Sequence, residues 1–470
     1  MSMRVADVVT AYDIRGRSPG ALSPDVARAL GSAFAQVVVL PEGGSGVVVG
    51  RDMRATSPAL ADAFVEGVRS HGVGVTLLGL CSTDALYYAS GARAEPGAMV
   101  TASHNPAGDN GIKLCRSGAR PVGRDSGLGE IRDLAQWILD RGALHTSPAT
   151  TPGEVREVDL LDDYAAHLHS LVDLGGIRPL HVVVDSGNGM AGHTVPAVLT
   201  GDLPLRLDQL YAELDGTFPH HDANPSDPAN LRDLQGAVVS AGADLGLAFD
   251  GDADRVVVVD ERGAVVPASA LAALIATREL ARERSLGRSS ARPTVVHGSI
   301  VSRSVLEVVE EMGGRLVRSP VGHSFVKAAM AEHGAVFGAE HSAHYYFRDF
   351  WYADSGLLAA MHVLAELGRQ DAPLSHLLAP FARYAASGEI NSSVGDTGAA
   401  VERVRRWGQE RQAREVEGDG LVLLAEDPYW CVSLRSSHTE PLLRLNVEAR
   451  DGETMAQVRD AVLDLVRQEA

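Results

Sequence analysis

The stretch VVVDSGNG at residues 182–189 joins three consecutive β-branched apolar residues to a loop rich in Gly and polar residues. Two further stretches have a similar order, VVVGRD at residues 47–52 and VVHGS at residues 295–299. Continuous apolar runs of this kind are typical of parallel strands that are buried on both faces. Because each run leads into a helical pattern, the alternation indicates α/β units. We therefore predict three related α/β domains in tandem.

The last part of the chain, from about residue 376, has a different order of elements. A charged helical stretch around 400–414 precedes strand-like segments at 429–434 and 442–448, and a helical pattern follows at 453–468. This order predicts a smaller α+β domain. Turn-rich or polar seams divide the chain into four predicted domains, at residues 1–152, 153–261, 262–372 and 373–470.

The composition excludes several classes of function. Asp and Glu outnumber Lys and Arg by 61 to 42, and the formal charge of −19 disfavours binding to nucleic acid or to an anionic membrane. No apolar run of signal-peptide or membrane-spanning type is present. The three cysteines form no CxxC pair, so neither a zinc site nor a disulfide framework is indicated. We expect a cytoplasmic protein.

The first motif that indicates chemistry is TASHNP at residues 101–106, which follows an apolar, strand-like approach. Ligands bind at strand carboxyl ends in α/β proteins, so Ser103 is a candidate nucleophile or phosphoryl carrier and His104 a candidate base or donor. A simple turn is the alternative, because Ser, Asn and Pro are common turn residues. A hydrolase elbow is excluded, since Thr101 and Asn105 stand where its glycines are required.

The second motif is DGDADR at residues 250–255, between two apolar runs. Alternating carboxylates with a tight Gly turn suit a hard divalent cation such as Mg²⁺. Solvated surface acids are the plainest alternative. An EF-hand is disfavoured because Arg255 occupies the sixth position, where Gly is needed. An aspartyl-nucleophile phosphatase stays open, although Ser103 already supplies a separate phosphoryl carrier.

Two more polar loops follow, GAEHSAH at residues 338–344 and RSSHTEP at residues 435–441. The first offers a carboxylate, a hydroxyl and imidazoles that suit sugar hydroxyls, although it also fits a capped helix N-terminus. The second offers an Arg and hydroxyls that suit a phosphate, although it also fits a hairpin turn. Lys113, YDIRGR at 12–17 and GHS at 322–324 are smaller candidates.

In combination, these motifs resemble those of the α-D-phosphohexomutase family, and most closely those of its bacterial phosphomannomutase and phosphomannomutase/phosphoglucomutase branch. The likeness runs from Ala11 to about Ala449, with the four motifs in family order. The resemblance implies three related α/β domains and a smaller phosphate-binding domain around a central cleft.

The resemblance also implies a role for each motif residue. It implies that Ser103 carries the phosphoryl group and completes a Mg²⁺ site whose other ligands are Asp250, Asp252 and Asp254. It implies that Lys113 and His344 are the residues to consider for proton transfer. The other expected catalytic residues are His104, Arg15 and Arg255. The expected substrate-binding residues are Tyr12, Arg17, His323, Glu340, Ser342, Arg435, Ser437, His438 and Thr439.

The implied reaction interconverts mannose 6-phosphate and mannose 1-phosphate, and glucose 6- and 1-phosphate as well, through a hexose 1,6-bisphosphate that also acts as primer. A phosphoglucosamine mutase and a sugar-phosphate phosphatase are the alternatives. We expect a hexose phosphate as the partner and a monomer or weak dimer. His341 departs from the family pattern where Met or Gln is common, and His438 stands where Asn or Gly is frequent. The run 345–350 is similar to the mannomutase branch.

Overall fold

The computed structural model describes residues 4–10, 13–123, 126–141, 151–288, 292–436 and 442–468. These residues form two compact units. The first unit comprises Met1–Ala268, Gly322–Gly338 and Ser342–Leu377, and the second comprises Ser269–Val321, Ala339–His341 and Leu378–Ala470. Within the described residues, none of the helices combines the length and the apolar character needed to cross a membrane.

The first α/β region has a mixed sheet in the strand order β1-β5-β4-β2-β3-β7, with β6 beside β5. Its elements are β1 (Ile14–Arg17), α1 (Pro24–Phe34), β2 (Gly46–Arg51), α2 (Ser57–Arg69), β3 (Gly74–Leu80), α3 (Thr83–Arg93), β4 (Gly97–Val100), β5 (Asp109–Arg116), β6 (Arg120–Pro121), α4 (Leu128–Arg141) and β7 (Val155–Glu157). The predicted buried strand β2 pairs in parallel with β3 and β4. Strand β5 is antiparallel to β1 and β4, which the apolar pattern did not predict.

The second α/β region has a four-stranded sheet in the order β11-β10-β8-β9. Its elements are α5 (Leu161–Leu171), β8 (Leu180–Asp185), α6 (Ala191–Leu199), β9 (Leu205–Leu210), α7 (Arg232–Ala241), β10 (Leu245–Phe249) and β11 (Val256–Asp260). The predicted strand β8 is parallel to both neighbours. Strands β10 and β11 form an antiparallel hairpin, and the acidic motif is its turn.

The third α/β region contributes to both compact units. Its elements are α8 (Ala268–Ser285), β12 (Thr294–Gly298), α9 (Arg303–Glu311), β13 (Arg315–Ser319), α10 (His323–His333), β14 (Phe337–Ala339), β15 (Tyr345–Phe347), β16 (Ala353–Asp354), α11 (Gly356–Leu367) and α12 (Leu374–Leu378). In the second unit, the predicted strand β12 pairs in parallel with β13. In the first unit, β15 and β16 are antiparallel.

The C-terminal region is an antiparallel sheet in the order β17-β21-β20-β19-β18 with two helices. Its elements are β17 (Ala385–Ser393), α13 (Thr397–Glu410), β18 (Arg414–Val416), β19 (Leu421–Glu426), β20 (Tyr429–Ser436), β21 (Leu442–Ala449) and α14 (Gly452–Arg467). Trp407 of α13, Trp430 of β20 and Val462 of α14 share one apolar core. The predicted helix ends at Glu410 rather than near 414, because Gln412 adopts a left-handed φ of 58° and the edge strand β18 begins at Arg414.

Local signals explain where many helices begin. Ser23, Ser82, Ser355, Asp396 and Asp451 each accept a hydrogen bond from a backbone N–H in the first turn of the helix that follows. In the first region, Phe34 of α1 packs against Phe64 of α2 within a continuous apolar core. The predicted α/β class with an α+β C-terminal domain is confirmed, whereas the predicted domain boundaries and central cleft stay predictions.

One buried carboxylate links three segments of the first unit. Asp84, at the start of α3, is fully buried. It accepts hydrogen bonds from three hydroxyls, those of Ser82 at 2.5 Å, Ser355 at 2.6 Å and Tyr164 at 2.7 Å. Burial nevertheless raises the pKa of Asp84 to about 6, because the charged form loses its hydration.

Candidate active site

The TASHNP loop begins where β4 ends, at Val100. Ser103 is 4% exposed and has a φ of 51°, a left-handed conformation that is uncommon outside glycine. Its backbone N–H donates to the Thr101 hydroxyl at 2.9 Å, and its Oγ lies 3.2 Å from Nδ1 of His104. Backbone strain of this kind persists only where neighbouring groups hold it, and it is enriched at functional sites.

The acidic motif is the turn between β10 and β11. Asp250, Asp252 and Asp254 are at most 1% exposed, so the alternative of solvated surface acids is wrong. One oxygen atom from each carboxylate lies within 4.8 Å of the other two. Ala253 has a φ of 61°, and its N–H donates to the Asp250 carbonyl at 3.0 Å. This tight turn points three carboxylates at one small volume.

The serine loop and the acidic turn are in direct contact. The Ser103 hydroxyl donates to Oδ2 of Asp250 at 2.7 Å, although the two residues are 147 positions apart. Gly251 makes this approach possible, because a Cβ on it would lie 2.5 Å from the Ser103 carbonyl oxygen. Burial raises the pKa of Asp250 to about 7, although Arg255 opposes this rise.

Lys113 of β5 neutralises part of the acidic turn. Its Nζ donates to Oδ2 of Asp252 at 2.7 Å and to Oδ2 of Asp254 at 2.5 Å. Burial works against the charged ammonium, but the two carboxylates outweigh it and the pKa of Lys113 is raised. The Thr83 hydroxyl donates to the same Asp252 oxygen at 2.6 Å. Lys113 and Thr83 together hold the acidic turn in place, and the two carboxylates keep Lys113 positively charged.

Two features of the acidic turn suit a divalent cation: its ligand atoms are carboxylate oxygens, and some of these oxygens have no hydrogen-bond partner among the described residues. Oδ1 of Asp252 and Oδ1 of Asp254 are buried and have no hydrogen-bond partner in the part of the chain that the structure describes. A buried carboxylate oxygen without a partner is costly. Hard oxygen ligands of this kind are those that Mg²⁺ prefers.

Positive charge surrounds Ser103. Arg255 donates from Nε to Oδ2 of Asp250 at 3.0 Å, while its buried Nη2 has no hydrogen-bond partner among the described residues. The charge of Arg255 holds the pKa of His104 well below its usual range. Arg15 donates to the Thr101 carbonyl at 3.4 Å. These groups suit an anion such as phosphate on the serine.

His344 lies close to the last aspartate of the acidic turn. Its Nε2 is 3.8 Å from Oδ1 of Asp254 and 3.9 Å from Oδ2 of Asp354. Its Nδ1 is 2.9 Å from the Ser342 hydroxyl. Asp354 also pairs with Lys327 at 2.7 Å, and both are 2% exposed. The structure therefore brings the imidazole next to one of the three aspartates and supports it with a buried ion pair.

The predicted phosphate-binding arginine belongs to the second unit. Arg435 of β20 donates from Nη2 to Glu389 at 3.0 Å, and Arg444, opposite it on β21, pairs with the same carboxylate at 3.3 Å. Glu340 is buried in this unit at 5% exposure. Burial lowers the pKa of His341, although Glu389 opposes this effect.

The remaining predicted residues divide into two groups. In the first unit, Arg17 packs its guanidinium against Gly108, between the serine loop and β5, and His323 begins α10. Burial, with the nearby Lys327 charge, lowers the pKa of His323 to about 3. The other group lies outside the described residues and comprises Tyr12, Ser437, His438 and Thr439.

Sequence reasoning missed several residues that contact this site. Thr83 gave no signal, because a Thr that follows a capping Ser reads as an ordinary helix start. Lys327 and Asp354 were missed because each carries chemistry only as part of a pair that is distant along the chain. Arg54 gave a weak signal, a charged residue two positions after the end of the VVVGRD stretch.

Known proteins match the whole chain. Four family models describe the phosphoglucomutase/phosphomannomutase alpha/beta/alpha domains I, II and III, at residues 7–136, 162–263 and 268–384, and the C-terminal domain, at residues 389–465. A relative named phosphohexose mutases from Xanthomonas campestris pv. campestris is 40% identical over 453 residues, with 96% of each chain covered. The phosphomannomutase of Escherichia coli is 35% identical, covering 96% of this chain and 97% of its own.

A solved structure agrees with these relatives. The crystal structure of a phosphoglucomutase/phosphomannomutase family protein from Burkholderia thailandensis superposes with a TM-score of 0.86 at 31% identity, and covers 100% of this chain and 99% of its own. The matches extend over all four regions, including the serine loop and the acidic turn. The chain therefore belongs to the phosphoglucomutase/phosphomannomutase family of α-D-phosphohexomutases, as its motifs predicted.

Proposed function

We propose that this enzyme interconverts mannose 6-phosphate and mannose 1-phosphate, and the corresponding glucose phosphates, through a phosphorylated Ser103. The contact that supports this proposal is the one between the Ser103 hydroxyl and Asp250 at 2.7 Å, which puts a candidate phosphoryl carrier against one of three clustered, buried carboxylates. The relatives named phosphomannomutase, such as the protein of Escherichia coli, support mannose as the sugar.

In the proposed first step, a hydroxyl oxygen of the bound hexose phosphate attacks the phosphorus on Ser103. The bond from phosphorus to Ser103 Oγ breaks as the bond to the sugar oxygen forms, and the sugar hydroxyl gives up its proton. The product is a hexose 1,6-bisphosphate, which returns its other phosphoryl group to Ser103 after turning over. Positioning and charge neutralisation dominate such transfers, because proteins supply little covalent help.

Each nearby side chain has a defined part in this proposal. His344 takes the proton, since its Nε2 lies 3.8 Å from the acidic turn and its ring is oriented by Ser342. Lys113 stays protonated because it is held by two carboxylates, so it supplies charge and not a base. Arg255 donates to a phosphate oxygen from its Nη2, which has no hydrogen-bond partner within the described ranges.

Asp250, Asp252 and Asp254 would hold Mg²⁺ together with the Ser103 phosphate. When bound, the ion neutralises negative charge on the transferring phosphoryl group. The same carboxylates also form ion pairs with Lys113 and Arg255, and these pairs hold the two cationic side chains in position. In the second unit, we assign the non-reacting phosphate of the sugar to Arg435.

We further propose a hexose phosphate as the small-molecule partner, with the enzyme acting in the cytoplasm as a monomer or weak dimer. All three cysteines are free and two of them are buried, which suits a reducing compartment. Light scattering of the purified chain measures the oligomeric state.

The test compares wild type with Ser103→Ala in a coupled assay of mannose 1-phosphate, glucose 1-phosphate and glucosamine 1-phosphate. Hexose 1,6-bisphosphate is the primer, and inorganic phosphate is measured in parallel. We expect mannose 1-phosphate to be converted by wild type without phosphate release, and turnover to be abolished in Ser103→Ala with an unchanged circular dichroism spectrum. Ser285→Ala, which removes an exposed hydroxyl on α8, is the matched control.

Three results would contradict the proposal. Full mutase activity in Ser103→Ala would exclude phosphoryl transfer through Ser103. Release of phosphate in step with substrate loss would identify a phosphatase. A strong preference for glucosamine 1-phosphate would identify the phosphoglucosamine branch.

A further inference from the structure

We propose that Arg54 is a positioning residue that holds the phosphoserine loop in its reactive conformation, an inference that rests on the proposed function of Ser103. Arg54 follows β2 and is 1% exposed. Its guanidinium is therefore removed from water, and such a charge is tolerated in a protein interior only where hydrogen bonds replace the lost hydration. The groups that accept those hydrogen bonds therefore define the role of the Arg54 side chain.

Among the described residues, the terminal nitrogens donate to four backbone carbonyls, three in the serine loop and one at the first residue of β5. Nη2 donates to the Ser103 carbonyl at 2.8 Å and to the Asn105 carbonyl at 2.7 Å. Nη1 donates to the Pro106 carbonyl at 2.8 Å and to the Asp109 carbonyl at 2.9 Å. The two nitrogens carry four protons, so each proton has its own carbonyl. One planar group thus fixes the path of the chain from residue 103 to residue 109.

This clamp acts on the residue that carries the phosphoryl group. Ser103 has a φ of 51°, and its carbonyl points at Arg54 while its hydroxyl points at Asp250. A carbonyl oxygen that turned towards the phosphate would repel it, because both are negative. By binding the Ser103 carbonyl, Arg54 keeps that dipole away from the phosphate and stabilises the left-handed conformation.

The arginine is itself held from three sides. Its Nε lies 3.3 Å from Oδ2 of the buried Asp52, whose other oxygen accepts a hydrogen bond from Ser57 at 2.5 Å. Its guanidinium carbon lies 5.0 Å from the centre of the Phe218 ring. Gly216 approaches so closely that a Cβ on it would lie 2.5 Å from the Arg54 Cα. The clamp is therefore rigid and cannot follow a displaced loop.

Lysine cannot replace this arginine, because an ammonium has three protons and no planar fork. In Arg54→Lys we expect kcat to fall by about 100-fold while KM stays within about threefold, since a shift of about 1 Å in a reacting group costs that much. Amide hydrogen exchange in the peptide of residues 101–110 should increase. The affinity for MgCl₂ in calorimetry should be unchanged, because Arg54 donates to none of the three aspartates of the acidic turn.

The matched control is Arg51→Lys, the same change at the end of the same strand. The Arg51 side chain contacts the Asp52 carbonyl at 3.5 Å and makes no hydrogen bond to the serine loop in the described part of the chain. We expect its kcat, loop exchange and Mg²⁺ affinity to equal those of wild type. If Arg54→Lys does not fold, Asp52→Asn weakens the support of the arginine and should show the same pattern to a smaller extent.

The proposal is overturned by wild-type kcat and wild-type exchange at residues 101–110 in Arg54→Lys, or in Asp52→Asn if that variant has to be used. It is also overturned if exchange increases equally throughout the first unit, which would indicate a general structural role. If wild type itself turns over no sugar phosphate, the proposed function fails, whereas hydrogen exchange still decides what Arg54 holds.

Discussion

Replacing Gly251 with Ala should separate the two loops on which catalysis depends. The added Cβ would lie 2.5 Å from the Ser103 carbonyl oxygen, about 0.9 Å short of the 3.4 Å at which ordinary van der Waals contact begins. That oxygen belongs to backbone and already accepts a hydrogen bond from Arg54, so it cannot rotate away. The serine loop or the acidic turn must therefore move by most of this distance.

A displacement of about 1 Å between reacting groups costs roughly 100-fold in rate. We expect the kcat of Gly251→Ala with mannose 1-phosphate to fall by about that factor. The overlap should also lower the free energy of unfolding by about 1–3 kcal/mol. Initial rates in the coupled assay give kcat, and urea unfolding followed by circular dichroism gives the stability.

Gly236→Ala is the matched control, because a Cβ at this position in α7 would have no neighbour within 4 Å among the residues that the structure describes. This control should keep its kcat and gain about 1 kcal/mol of stability, since Ala is the better helix former. A kcat within twofold of wild type in Gly251→Ala would refute the reasoning that contact between the two loops sets the position of Ser103.

Two further predictions concern buried charges of the first unit. The folded-state pKa of Asp84 is raised from 3.8 to about 6, so wild type should lose about 3 kcal/mol of stability relative to Asp84→Asn as pH rises from about 4 to about 7. The loss occurs because the native carboxyl keeps its proton where the unfolded one releases it; parallel urea titrations with no pH-dependent difference would contradict this. Lys113→Gln should bind Mg²⁺ at least about tenfold more tightly in calorimetry, because the ammonium and the cation compete for the carboxylates of Asp252 and Asp254, while its mutase turnover falls. Weaker Mg²⁺ binding in this variant would show that Lys113 helps to form the cation site.

The proposed mechanism needs a loop that carries a phosphoryl group and a separate turn of carboxylates, both held rigidly. Ser103 is left-handed, and Asp250 is fully buried. Neither state is favourable alone, because each costs free energy that local structure does not recover. Hydrogen bonds from Arg54 to the Ser103 carbonyl and from Arg255 to the Asp250 carboxylate offset these costs.

Residue types and their local order were sufficient to predict the α/β class, the serine loop and the acidic turn. The reason is that these features depend on neighbours in the chain: β-branched runs form buried strands, and Asp250, Asp252 and Asp254 are alternate residues of one tight turn. The resemblance then supplied the family and the expected roles. These conclusions needed no information about contacts between residues that are far apart in the sequence.

Folding alone decided which distant groups meet. Arg54 and Ser103 are 49 positions apart, Lys113 and Asp252 are 139 apart, and Thr83 and Asp252 are 169 apart. The antiparallel strand β5, which carries Lys113 to the acidic turn, likewise has no local signature. Such contacts depend on packing and on the cost of burying charge, which are properties of the whole folded domain and cannot be read from short sequence patterns.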